Sequence, residues 1–141
     1  MKAGLCAPRL LRRRDRGQAL VEFALVMPIF LILVLGIADF GLALRSYITV
    51  TNSSREAARL GAVGATCDDI KQRAVDTSAG LLTLSNVTVQ NCQGQPGTDV
   101  QVAVSYDYSW VTPLVPMVKT FLGDTLPSTL TIRSTSVMRL E

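Results

Sequence analysis

Histidine is absent from this 141-residue chain, aromatic residues make up only 6% of it, and there are three cysteines. Without histidine there is no Ser-His or Cys-His arrangement for nucleophilic catalysis. The cysteines, at 6, 67 and 92, include no close pair to build a tetrahedral metal site. No glycine-rich phosphate loop occurs, and Asp68 and Asp69 read as the acidic start of a helix more than as an acid/base pair. The composition therefore argues against an enzyme and against a bound cofactor or metal. No internal repeat or low-complexity segment appears.

Positive charge is scarce once the first residues are passed. Residues 1–17 carry six basic residues against Asp15, a net of +5, while the remainder carries eight basic and ten acidic residues, a net of −2. A nucleic-acid interface needs its charge spread over a folded face, so nucleic acid is excluded as a partner. What the basic head precedes is a long apolar run. Residues 23–38 are uncharged, and from 19 to 44 only Glu22 and Asp39 interrupt it.

At 1.5 Å per residue the 21 steps from Gln18 to Asp39 span roughly 31 Å, close to the roughly 30 Å hydrocarbon core of a bilayer. The arginines before the span predict a cytoplasmic N-terminus and an extracytoplasmic C-terminal part. Pro28, Gly36 and Gly41 are ordinary membrane-helix composition, though Gly36 and Gly41 also permit close helix approach. Glu22 is a carboxylate at the mouth of that helix, where charge is costly and a functional role is the default reading.

Beyond the span, Leu44, Tyr47, Ile48, Thr51, Ser54, Ala58, Gly61, Ala62 and Ala65 recur at spacings of three and four. They predict that the helix continues to about residue 65 with a narrow stripe of small and apolar side chains. On it Glu56 and Arg59 can pair, and Arg55 lies beside them. This charged cluster reads either as a solvated face or as a docking surface. A second helix is predicted from Cys67 through Ile70, Ala74 and Ser78, weakening at Gly80. Val87 and Val89 alternate as a short strand, and the Gln-Gly-Gln-Pro-Gly-Thr run at 93–98 supplies a turn. Val100, Val102, Val104, Tyr106 and Tyr108 form the clearest strand, and Leu130, Ile132, Ser134, Ser136, Met138 and Leu140 a third. Residues 109–128 read as a loop with one helical turn near 115–121.

The expected organisation is a basic cytoplasmic segment (1–17), a transmembrane helix (18–44), its extracytoplasmic continuation (45–65) and a small α+β domain (66–141) holding a three-stranded or larger antiparallel sheet. Cys6 lies on the cytoplasmic side, while Cys67 and Cys92 lie outside, where disulfides persist. A bond between them would close a loop of about 25 residues and stabilise the domain by roughly 3 kcal/mol on the chain-entropy estimate. Two buried free thiols are the alternative.

Three stretches carry a family resemblance. They are Arg16-Gly17-Gln18-Ala19-Leu20-Val21-Glu22-Phe23-Ala24-Leu25, Gly36-Ile37-Ala38-Asp39-Phe40-Gly41, and Arg55-Glu56-Ala57-Ala58-Arg59. In them, and in a closing strand with Arg139 and Glu141, the chain resembles the TadE-like family of pseudopilins of the tight-adherence (Tad/Flp) type IV pilus system. The resemblance implies cleavage by a prepilin peptidase between Gly17 and Gln18, with Glu22 as the fifth mature residue and an assembly contact together with Phe23. It implies Asp39, Arg55, Glu56 and Arg59 at the helix exit or a docking surface, no cofactor, and partners among the bilayer, other pilins and the inner-membrane assembly platform. Removal of the leader would leave 124 residues, which suits a minor pseudopilin better than a short major pilin. Two other expectations compete: an uncleaved single-pass membrane protein that binds an envelope partner, and a secretory signal cut near Gly41, Leu42 and Ala43.

Overall fold

Apolar side chains from residue 19 onward favour helix, and in the computed structural model one helix, α1 (Arg12–Ala62), takes up 51 residues. The structure describes residues 12–123 and 127–141. Cys6 and the first basic residues of the leader lie outside them. At 1.5 Å per residue α1 is about 75 Å long, and it continues unbroken through Pro28. Its segment Gly17–Ala62 is the one candidate membrane span among the described residues. The inner half is bare: Leu20, Phe23, Leu25, Ile29, Phe30 and Ile37 are all more than half exposed. Such a surface is stable in lipid and costly in water.

The outer half of α1 is packed. Asp39, Ala43, Ser46, Val50, Ser53, Ser54, Ala57, Ala58 and Gly61 are buried, a stripe of mostly small residues that brings the sheet close to the helix axis. This corrects the expected stripe in its first turns. Leu44, Tyr47 and Ile48 are 48%, 50% and 52% exposed, because the neighbouring row of small residues allows closer packing and turns the large side chains outward. Ser54, Ala58 and Gly61 of the expected row are buried, joined by Ala57, while Ala62 and Ala65 are only half-buried and Ala65 lies past the end of the helix. α1 ends at Ala62, and Gly64 adopts φ +78° in the turn that follows.

Thr66 caps α2 (Cys67–Asp76) by accepting a hydrogen bond from the Asp69 N–H, and the acids Asp68 and Asp69 complement the positive end of the helix. Ile70 and Ala74 are its buried face. A 3₁₀ turn (Leu84–Asn86) leads to β1 (Val87–Gln90), followed by β2 (Asp99–Ser109), α3 (Leu114–Leu122) and β3 (Thr129–Arg139). The strands form one antiparallel sheet in the order β1-β2-β3, with Val87 opposite Val104 and Val102 opposite Ser136. The fold is thus α+β and pilin-like.

Alternation puts Val100, Val102, Val104 and Tyr108 of β2 into the core, together with Ile132 of β3 and Leu140 just beyond it. Gly61 suits this close packing. A Cβ there would stand 3.0 Å from Val100 Cγ2 and 3.2 Å from Ile70 Cδ1, so glycine lets β2 and α2 close on α1 together. Ser54 is hydrogen-bonded within this interface, whereas the buried Ser53 and Thr51 hydroxyls have no partner among the described residues. Ser54 Oγ donates to the Thr51 carbonyl at 2.9 Å, leaving its lone pairs to the Ser134 and Ser136 hydroxyls at 3.0 and 2.9 Å.

A disulfide joins Cys67, at the start of α2, to Cys92, just past β1, with 5.3 Å between the Cα atoms. The loop expected at 109–128 holds more structure than one helical turn. α3 has nine residues, and both nearby prolines are compatible with it: Pro113 stands at the N-cap and Pro116 in the first turn, where no intrahelical donor is needed.

Candidate functional site

Gly17, Gln18, Val21, Glu22 and Leu25 share one face of α1, separated by three and four residues, and line a shallow open groove at its inner end. All are exposed, as is Phe23 at 61%. Among the described residues Glu22 has no hydrogen bond or ion pair. Its carboxylate is thus exposed and not engaged by any described residue.

Gly17 is equally free of internal duty. A Cβ at that position would meet nothing within 4 Å, so the fold does not explain the glycine as it explains Gly61. The bond between Gly17 and Gln18 lies inside α1, not in an extended stretch. A protease cleft that binds an extended backbone would have to unwind this turn, and glycine lowers the helix propensity there by about 1 kcal/mol relative to alanine.

Asp39 sits at the other end of the apolar run, and it is fully buried. Its Oδ1 accepts the backbone N–H groups of Val111 and Thr112, each at 3.2 Å, and its Oδ2 accepts the Thr112 hydroxyl. Its own carbonyl receives the Tyr108 hydroxyl at 3.4 Å. Asp39 therefore clamps the corner between β2 and α3 to the helix, and its carboxylate is occupied within the chain instead of facing a partner. Burial, and next the Asp39 charge, raise the Tyr108 phenol above its ordinary value. Trp110 packs edge-on against Tyr108, with ring centroids 6.0 Å apart, and donates its Nε1–H to the Pro127 carbonyl at 2.9 Å.

Glu56 is likewise engaged. It bonds Arg73 Nη2 of α2 at 2.7 Å and stands 4.0 Å from Arg59. The hydrogen bond from Arg73, then the Arg59 charge, lower its carboxyl below the usual range. Arg55 and Arg59 are exposed on this outer part of the helix. The structure thus does not bring the predicted site residues together. Glu22 and Arg55 are 33 residues apart on one rod, about 50 Å. Sequence reasoning missed Val111, Thr112, Tyr108 and Arg73; the lone acid in an apolar run at Asp39 was the available signal for the first three.

Nothing positive points to catalysis. Among the described residues no group of three or more acids, cysteines or histidines could hold a metal. A half-open groove of about 240 Å³ beside Leu42, Arg45, Ser46, Thr49, Tyr106 and Tyr108 contains no nucleophile paired with a base.

Comparison with known proteins agrees with this emphasis on the helix. The model of a family described as TadE-like protein matches residues 17–59, which lie wholly within α1. No curated protein and no solved structure matches the chain.

Proposed function

We propose, from the similarity of α1 to TadE-like proteins and the Tad-pilus association this suggests, that the chain is a minor pseudopilin. A prepilin peptidase hydrolyses the bond between Gly17 and Gln18, leaving a carboxylate on Gly17 and a new α-ammonium on Gln18. The mature subunit crosses the bacterial inner membrane once, with its N-terminus at the cytoplasmic face and its α+β domain outside, and joins other pilins and the assembly platform in building the pilus.

The observation that carries this reading is the unpartnered, exposed Glu22 one helical turn from Gln18. Four residues correspond to about 6 Å along the axis, so the carboxylate can meet either its own new terminus or that of a neighbouring subunit. Glycine at 17, which the fold does not require, fits a recognition need that lies outside the chain. The disulfide fits an oxidising, extracytoplasmic setting for the domain.

Intact mass of the protein from cells with the pilus machinery tests the first step: the mature chain begins at Gln18. A start at Met1 would support the uncleaved anchor instead, and a start near Leu44 a secretory signal. For the second step, Glu22→Ala is expected to be cleaved and inserted like the parent chain but lost from purified pili. Unchanged incorporation refutes the assembly role of Glu22 and leaves the cleavage reading standing.

A further inference from the structure

The corner between β2 and α3 sits at a depth fixed by Asp39, and that depth is unusual for a soluble domain. The uncharged run 23–38 is about 24 Å long, shorter than a hydrocarbon core of about 30 Å, so roughly four more residues must be immersed at one end or the other. If the extra turn is taken from the inner end, Asp39 stands at the outer boundary of the core. If it is taken from the outer end, Asp39 lies about 6 Å inside. In both registers Val111, whose N–H is 3.2 Å from Asp39 Oδ1, is at the boundary or within it.

The side chains there match that depth. Val111 is 69% exposed, Pro113 and Pro116 are exposed, and Met117 and Val118 are half-buried. On α1 at the same level Ile37 and Phe40 are 66% and 70% exposed. Trp110, half-buried and with its N–H satisfied, is the residue type that settles where hydrocarbon meets headgroups. Asp39, the only charge between residues 23 and 44, is covered by the corner and saturated with donors, which makes its immersion tolerable.

We infer that the corner from Trp110 through the first turns of α3 is a second membrane contact: it lies in the outer-leaflet interface of the bilayer that α1 crosses, with Val111 and α3 against acyl chains. The occupant of this apolar face in the membrane-resident subunit is phospholipid. The domain is then not a knob on a stalk. It rests on the membrane and is fixed in tilt and rotation by two contacts, the α1 span and the corner. This inference rests on the spanning role proposed for α1.

Trp110 is the one tryptophan in the chain, so it reports on its own depth. The full chain is reconstituted in phosphatidylcholine–phosphatidylglycerol vesicles whose acyl chains carry bromines either near the glycerol backbone or near the bilayer centre. A second protein, Trp110→Phe with Phe30→Trp, places the probe mid-span. The inference expects Trp110 to lose more emission to the shallow bromines than to the deep ones, with little loss to acrylamide in the water, and the mid-span probe to show the opposite bromine order. A quenched mid-span probe with Trp110 open to acrylamide and untouched by bromines overturns the corner contact alone. Trp110 shielded from both quenchers also overturns it, since protein then covers the face. A mid-span probe untouched by bromines overturns the spanning role of α1 and the corner contact with it.

Discussion

Replacing Asp39 by alanine removes the acceptor for three donors at once, the N–H groups of Val111 and Thr112 and the Thr112 hydroxyl. Hydrogen bonds to a charged group contribute about 1.5–3 kcal/mol each, but these donors are only partly buried and water can replace some of the loss, so a net cost of about 2–4 kcal/mol is expected. For a packed unit of about 100 residues that corresponds to a fall in melting temperature of roughly 10–20 °C. If the corner opens locally before the whole unit unfolds, the same energy raises amide exchange there by about 30- to 1,000-fold. An asparagine side chain at this position retains an oxygen for the two N–H groups but puts an NH2 donor where Oδ2 accepts the Thr112 hydroxyl, so Asp39→Asn should cost about 1–2 kcal/mol, less than alanine. Hydrogen exchange of peptides covering 109–122, with thermal unfolding in the same detergent, reads both effects. An alanine variant within about 0.5 kcal/mol of the parent would refute the clamp. An asparagine variant as damaged as alanine would show that the two N–H bonds to Oδ1 do not by themselves hold the corner.

Two other consequences concern the packed domain. Cys67→Ser with Cys92→Ser should lower stability by about 3 kcal/mol through the reopened loop, read as a lower urea midpoint; an unchanged midpoint would refute that contribution. Glu56 should leave a small acid-side signature. Its carboxyl titrates below its ordinary range when folded, held there by the Arg73 hydrogen bond and the Arg59 charge, so the stabilisation they give is present above the unfolded value and fades as pH falls through the lowered one. The parent chain should thus lose more stability between about pH 5 and 3 than Glu56→Gln does, and parallel curves would remove Glu56 from acid unfolding.

Most of the fold was legible because its elements follow simple periods. Strict alternation in β2 and β3 marks both strands and their buried faces, and the acids after Thr66 mark the start of α2. The buried row of α1 was harder. Ala43, Ser46 and Val50 lie beside Leu44, Tyr47 and Ile48 on the helical wheel, and hydrophobicity favours the larger residues while close packing selects the smaller. α3 was hidden by its two prolines, which read as loop until their positions in the first turn are known. The partners of Asp39 are backbone N–H groups some 72 residues away, and Glu56 meets Arg73 across 17 residues. No local pattern announces either. At the inner end the reverse holds: Gly17 and Glu22 stand out in the sequence, and the structure adds that nothing among the described residues explains them.

α1 is both the membrane-crossing rod and one wall of the core, since Val50, Ala57 and Ala58 pack with Val100 and Val102. With no break between those two roles, the level at which α1 sits sets the level of everything packed on it. A shift of the helix along its axis by one residue, about 1.5 Å, moves Asp39 and the corner it holds by the same amount, so the height of the domain is written into the length of the apolar run.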